Sequence, residues 1–190
     1  MTLERRSAMA TLLADRPKNL FVVPGLGSTT WDAAAAGDDD RNFYLWGAMG
    51  GAAMIGLGLA LAKPNARVAV VTGDGEMLMG LGSLATIGVQ RPQNLAIVVF
   101  DNGLYGETGM QASHTQSGVD LIDVARGCGI GEVLDVEDEA GLQKLAELVR
   151  SGGLLFARVR ISPEDAPRVL PLHDGVEIKN RVRRAVEALG

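Results

Sequence analysis

Two short stretches hold the residue types best suited to chemistry. Gly73-Asp74-Gly75 stands directly after a β-branched run, and Asn102, 27 residues beyond Gly75, stands directly after the next such run. Glycines let the backbone approach a phosphate closely, and the Asp74 carboxylate and the Asn102 side-chain carbonyl are hard oxygen donors suited to Mg²⁺. A magnesium ion held by both would clamp a diphosphate, with a backbone carbonyl, two phosphate oxygens and a water completing its octahedron. A helix following Gly75 would add free N–H groups and a favourable dipole. A lone Gly-Asp-Gly is ordinary turn chemistry. What adds weight is that two motifs at this spacing each fall at the end of a strand.

The elements that must position these motifs follow from apolar periodicity. Leu3 to Leu13 reads as an opening helix, and Leu20 to Val23 as a strand ended by Pro24 and Gly25. Ser28 is placed to cap a short helix through Ala36, and Gly37 to Asp40 reads as a turn. An apolar helix is expected over Gly47 to Ala62, then a strand, Arg67 to Thr72, with no polar alternation, as in a parallel sheet covered on both faces. The pattern repeats with a helix near Leu78 to Val89, a breaker at Arg91 and Pro92, and a strand at Leu95 to Phe100. Helix Asp120 to Cys128, strand Glu132 to Val136, amphipathic helix Glu137 to Arg150, strand Leu154 to Val159 and a closing helix, Val176 to Leu189, complete the chain. Such alternation without hairpins implies an α/β fold, a doubly wound, mostly parallel sheet with helices on both faces. Ligands of such sheets sit beyond the carboxyl ends of the strands, which selects Pro24 to Thr30, Thr72 to Met77 and Asp101 to Gly118.

Composition narrows the classes. At 190 residues the chain suits one domain spanning residues 1–190. A net charge of -5 gives no basic field for nucleic acid. Cys128 is the single cysteine, so no internal disulfide forms, and a reducing cytoplasm is the expected location. The first sixteen residues carry Glu4, Arg5, Arg6 and Asp15 and do not read as a signal peptide. Leu45 to Ala62 is nearly long enough to span a bilayer, but its glycines favour a packed helix beside a loop, and no membrane association is expected.

The paired motifs resemble those of the thiamine-diphosphate enzymes, whose diphosphate-binding domain carries Gly-Asp-Gly followed some 25 to 30 residues later by asparagine. The resemblance runs from about Phe21 to Arg160. It implies that Asp74, Asn102 and the main-chain carbonyl of Leu104 bind Mg²⁺, within a loop Asp101-Asn102-Gly103-Leu104-Tyr105-Gly106 similar to the family's own. Gly47-Ala48-Met49-Gly50 resembles the segment that cradles the aminopyrimidine, with Met49 as the apolar wedge that bends the cofactor; the plain alternative is a core methionine at a helix start. Gly27, Ser28 and Thr29 stand where relatives place small polar residues on the diphosphate, or where a helix is simply capped. Glu76 departs from the serine or alanine common after the second glycine. A carboxylate there would be repelled by a diphosphate, so its side chain is expected to turn away.

The resemblance also implies what is missing. Relatives carry a second domain whose glutamate hydrogen-bonds the aminopyrimidine and promotes ylide formation, and this chain has no room for it. An α-type partner supplying that glutamate is therefore expected, in a hetero-oligomer such as α2β2 or larger. Glu107 lies on the metal loop and is not a substitute. The stretch Asp101 to Gln111 looks most like the small β-type chains of sulfopyruvate and phosphonopyruvate decarboxylases, which implies ylide addition to a small 2-oxo acid and release of CO₂. His114 and Gln111 are candidates for an anionic substrate tail, His114 being equally readable as an exposed loop histidine. Tyr105 and His173 read as structural. A carboligase of the acetolactate synthase type and a non-catalytic, cofactor-binding regulatory subunit are the alternatives. A 2-oxo acid ferredoxin oxidoreductase would need cysteines this chain lacks.

Overall fold

A computed structural model describes residues 2–164 and 166–190. Helix α1 (Arg5–Leu13) starts where the Glu4 carboxylate accepts the N–H groups of Arg6 and Ser7. Strand β1 (Leu20–Pro24) and helix α2 (Ser28–Ala35) follow, then α3 (Ala52–Ala62), β2 (Arg67–Gly73), α4 (Asp74–Met79), α5 (Ser83–Gln90) and β3 (Leu95–Asp101). A small hairpin, β4 (Leu104–Tyr105) and β5 (Gln111–Ala112), leads to α6 (Leu121–Gly127), β6 (Glu132–Val136), α7 (Glu139–Ser151), β7 (Leu155–Arg160) and α8 (Gly175–Ala188). The Asp120, Asp138 and Asp174 carboxylates accept first-turn N–H groups of α6, α7 and α8, so three of these starts carry the expected N-cap chemistry.

The five long strands form one parallel sheet in the order β1-β2-β3-β7-β6. Alternate side chains along each strand serve two separate cores. Leu20, Val22, Ala69, Val71, Ala96, Val98, Leu155 and Ala157 meet α1, α2, α7 and α8 on one face. Val23, Val68, Val70, Ile97, Val99 and Phe156 meet α3, α4, α5 and α6 on the other. Both faces are covered, which explains why β2 and β3 lack polar alternation and identifies the doubly wound architecture. The steps β1 to β2 and β2 to β3 advance in one direction; α2, between β1 and β2, lies with α1 on one face, while α3, α4 and α5 lie on the other. The step β6 to β7 runs backwards and puts α7 on the opposite face, as a constant crossover hand demands.

Three differences from the sequence expectation matter for the site. The helix expected over Gly47 to Ala62 begins only at Ala52. Gly47 to Gly51 stays a turn, with Ala48 and Gly50 at φ 60 and 90. The helix expected over Leu78 to Val89 is two helices, α4 starting at Asp74 itself and α5 at Ser83, broken at Gly80 to Gly82. One cause accounts for both: a Cβ on Gly80 would lie 2.3 Å from the Gly50 carbonyl oxygen, so two glycine turns press backbone to backbone there. Ser28 does not cap α2. Gly27 holds that position without a side-chain bond, and Ser28 is the first helical residue. Other element ends shift by one or two residues, as boundaries do. Among the described residues no helix is long and apolar enough to cross a membrane.

Arg67, buried at the start of β2, ties the sheet to the end of α7. Its guanidinium donates to the carbonyls of Val149 (2.7 Å) and Leu148 (3.2 Å) in the last turn of α7 and of Gly153 (2.6 Å) just beyond it. Burial lowers its pKa to about 10, so it stays charged at neutral pH. Arg67→Met is expected to cost about 2–3 kcal/mol in urea unfolding, because buried carbonyls lose charged donors. An unchanged midpoint would remove this role.

Candidate functional site

The ends of β1, β2 and β3 lie side by side, because Pro24 pairs with Val71 and Gly73 with Phe100 in parallel register. The Gly25 N–H continues this pattern to the Val71 carbonyl at 2.8 Å. The three loops selected from sequence therefore share one rim, where a cleft opens to solvent. Gly73, Asp74, Gly75, Asn102, Leu104, Tyr105, Gly106, Ser28, Thr29 and Met49 all line it.

Asp74 is 2% exposed and opens α4. Its Oδ2 accepts the Ser113 hydroxyl at 2.5 Å and the Thr115 hydroxyl at 3.3 Å. The Thr115 hydroxyl also reaches Asp101 Oδ1 at 2.9 Å, linking two carboxylates. Burial, helped by the charge of Asp101 and opposed by the Ser113 and Thr115 bonds, pushes the Asp74 carboxyl up to about 6. Asn102 makes a tight turn in which its Oδ1 accepts the Leu104 N–H at 3.0 Å. The β4–β5 hairpin then folds back, closed by the Ser113 N–H to the Gly103 carbonyl at 2.7 Å, and this return delivers Ser113 to Asp74. Gly75 has a packing reason to be glycine, since a Cβ there would meet the Tyr105 ring at 2.6 Å.

Glu76 is buried and turned towards the first loop. Its Oε2 accepts the Leu26 N–H and the Thr72 hydroxyl, each at 2.8 Å, which joins the β1 and β2 loops. The Thr29 and Thr30 hydroxyls both donate to the Gly25 carbonyl. Met49, expected at the start of a buried helix if it were ordinary core, instead sits in the turn before α3, 39% exposed and on the cleft. The arrangement supplies carboxylate, amide and carbonyl oxygens beside glycine backbone. Among the described residues no group of three His, Cys, Asp or Glu gathers to hold a metal. A Cβ on Gly73 would meet nothing within 4 Å, so the space in front of this backbone is open.

Not every candidate reaches the cleft. Gly27, Gly47 and Ala48 are outside its lining and bracket residues inside it. His114 and Gln111 are exposed on the hairpin: Nδ1 of His114 lies 3.1 Å from the Tyr105 hydroxyl, and Gln111 bonds Thr108. Neither lines the cleft. Conversely, sequence reasoning missed Ser113 and Thr115, which carry no motif and become visible only once the hairpin is folded. His173 stacks on Trp46, with ring centroids 4.2 Å apart.

Comparison with known proteins bears directly on this geometry. Residues 25–158 match the family described as thiamine pyrophosphate enzyme, C-terminal TPP binding domain. The chain is 44% identical over 113 residues to sulfopyruvate decarboxylase subunit beta of Methanocaldococcus jannaschii, covering 60% of each. It is 46% identical over 125 residues to phosphonopyruvate decarboxylase of Streptomyces viridochromogenes, covering 66% of this chain but 31% of that one. The match to sulfopyruvate decarboxylase subunit beta of Methanothermobacter thermautotrophicus is 37% over 186 residues and spans 98% and 97% of the two chains. The fold is shared with a thiamin diphosphate-dependent enzyme from Mycobacterium smegmatis at a TM-score of 0.72 and 21% identity, covering 86% of this chain and 32% of that one.

A buried carboxyl with a raised pKa has a measurable consequence for the free chain. Asp74 binds its proton more tightly folded than unfolded, so its stabilising contribution is fully present below about pH 4 and is lost as pH rises through about 6. Asp74→Asn is therefore expected to raise the stability of the ligand-free chain at pH 8 by about 1–3 kcal/mol, with a smaller gain at pH 4. Thermal unfolding at both pH values checks this, and a loss of stability at pH 8 would contradict it.

Proposed function

The chain belongs to the thiamine pyrophosphate enzyme family, and from that premise we propose that it is the thiamine-diphosphate- and Mg²⁺-binding subunit of a split 2-oxo acid decarboxylase. One observation carries the reading: Asp74, Asn102 and Leu104, from two adjacent strand ends, line one cleft with Met49. The oxygen-only donor set suits Mg²⁺, and the open space before Gly73 suits a diphosphate. On this reading Asp74, the Asn102 side chain and the Leu104 carbonyl hold the metal. Gly73, Gly75 and Gly106 admit the phosphates, Ser28 and Thr29 flank them, and Met49 wedges the cofactor's middle. Residues 1–190 serve as one cofactor-binding domain.

Thiamine diphosphate held there would supply a nucleophilic carbon for the 2-oxo group and an electron sink for loss of CO₂. The residues of this chain bind, orient and exclude water. Ser113 and Thr115 hold Asp74 in position, and Glu76 keeps the first loop against the second without offering its bonded oxygen to a phosphate. The glutamate needed by the aminopyrimidine comes from a partner subunit. Two observations support a partner. The Methanothermobacter relative of matching length is named a subunit, and α3, apolar on every side, leaves Met54 and Leu61 exposed, as Met79 of α4 and Val89 of α5 are. A helix of that composition belongs in an interface rather than in water. The names of the relatives favour a sulfonated or phosphonated pyruvate as substrate.

Co-purification with the partner, followed by CO₂ release from sulfopyruvate, phosphonopyruvate and pyruvate, tests the reading. The complex is expected to be active and the isolated chain inactive; full activity of the chain alone would refute the split site. Calorimetry is expected to show no Mg²⁺-dependent cofactor binding for Asp74→Ala. For the parent, metal affinity is expected to fall about tenfold per pH unit below about 6, because protonated Asp74 cannot ligate.

A further inference from the structure

With His114 and Gln111 outside the cleft, the acidic tail of a sulfonated or phosphonated 2-oxo acid has no recognising group within it. A second cavity supplies one. It adjoins the main cleft, sharing Ser28, Asn102 and Gly106 with it, and is lined besides by Trp31, Met110 and Arg168. A three-carbon acid of this kind carries its tail on the carbon next to the reacting carbonyl, so the anchor of the tail has to border the cofactor cleft, as this cavity does. The fold sets Arg168 there. The Ser162 N–H donates to the Leu3 carbonyl at 2.8 Å, Arg6 Nη2 to the Pro167 carbonyl at 2.5 Å, and the Trp46 indole N–H to the Leu172 carbonyl at 3.0 Å. These bonds tie down the connection from β7 to α8 on both sides of Arg168.

The Arg168 guanidinium lies over the Trp31 ring, 4.4 Å from its centroid, and Trp31 is itself buried in α2. An aromatic face holds a guanidinium through its π electrons and leaves the N–H donors for an oxyanion. The other charged side chains around the cavity are committed or set apart. Arg5 meets buried Asp32 at 3.5 Å, and Glu107 leans over Gly27, where an added Cβ would lie 2.4 Å from its Oε1. Glu164 also borders the cavity, yet among the described residues Arg168 meets the Trp31 ring and no carboxylate. Resting on the decarboxylase reading, we propose that this cavity is the subsite for the acidic tail of the substrate, a tetrahedral oxyanion on carbon, and that Arg168 binds it. The planar fork of arginine matches two oxygens of a sulfonate or phosphonate at once. The methyl group of pyruvate offers it nothing.

Steady-state CO₂ release by the complex with its partner, from sulfopyruvate, phosphonopyruvate and pyruvate, tests the assignment. Arg168 is exposed, so its replacement leaves the core intact. Arg168→Gln is expected to lower kcat/KM for the preferred tailed substrate by about 10- to 100-fold, while pyruvate changes by less than about threefold. Arg168→Lys is expected to recover part of the loss. Sulfoacetate, which carries the tail without the 2-oxo group, is expected to inhibit pyruvate turnover by the parent and to do so about tenfold more weakly with Arg168→Gln. Equal losses for all three substrates, or tailed substrates used as well by Arg168→Gln as by the parent, overturn the assignment. A parent complex that decarboxylates pyruvate and prefers neither tailed acid also overturns it and leaves the decarboxylase reading standing. A parent complex that releases CO₂ from none of the three overturns that reading, and this inference with it.

Discussion

A carboxylate buried at the end of a central strand, with hydroxyl groups and a second carboxylate for neighbours, is unfavourable by itself. Ser113 and Thr115 hold Asp74 in place, while burial and the nearby Asp101 raise its proton affinity against the pull of those hydrogen bonds. The surrounding structure keeps it there. The parallel register of β1, β2 and β3 fixes which loops meet, the β4–β5 hairpin brings the two hydroxyls, and Glu76 locks the first loop onto the second. A group kept desolvated and charged-when-needed is what a cation site demands, and such sites trade stability for binding.

Backbone proximity does the remaining work. Gly80 lies against Gly50, which positions the turn carrying Met49 relative to the first turn of α4. Gly75 lets the Tyr105 ring rest on that same turn. These glycines transmit the sheet geometry to the cleft through direct contact, with little room for independent movement of the loops.

The sequence made the sheet legible because β2 and β3 are unbroken apolar runs, a pattern only a two-sided core explains. Gly73-Asp74-Gly75 and Asn102 were legible because each follows such a run. Helix starts near glycines were not, since periodicity cannot register that Gly50 and Gly80 must touch; hence the late start of α3 and the break between α4 and α5. The roles of Ser113 and Thr115 were equally hidden. Their partner lies 39 and 41 positions away, and contacts of that range leave no local trace in residue type. His114 and Gln111 attracted attention by chemistry and proximity in sequence, but both are exposed and neither lines the cleft.

The most direct test of the account is a crystal structure of the chain with Mg²⁺ and thiamine diphosphate. The account predicts a single ion with an Asp74 carboxylate oxygen, Asn102 Oδ1 and the Leu104 carbonyl oxygen each within about 2.0–2.2 Å, sharing it with diphosphate oxygens. An ordered cofactor whose metal is bound without Asp74 and Asn102 would contradict it.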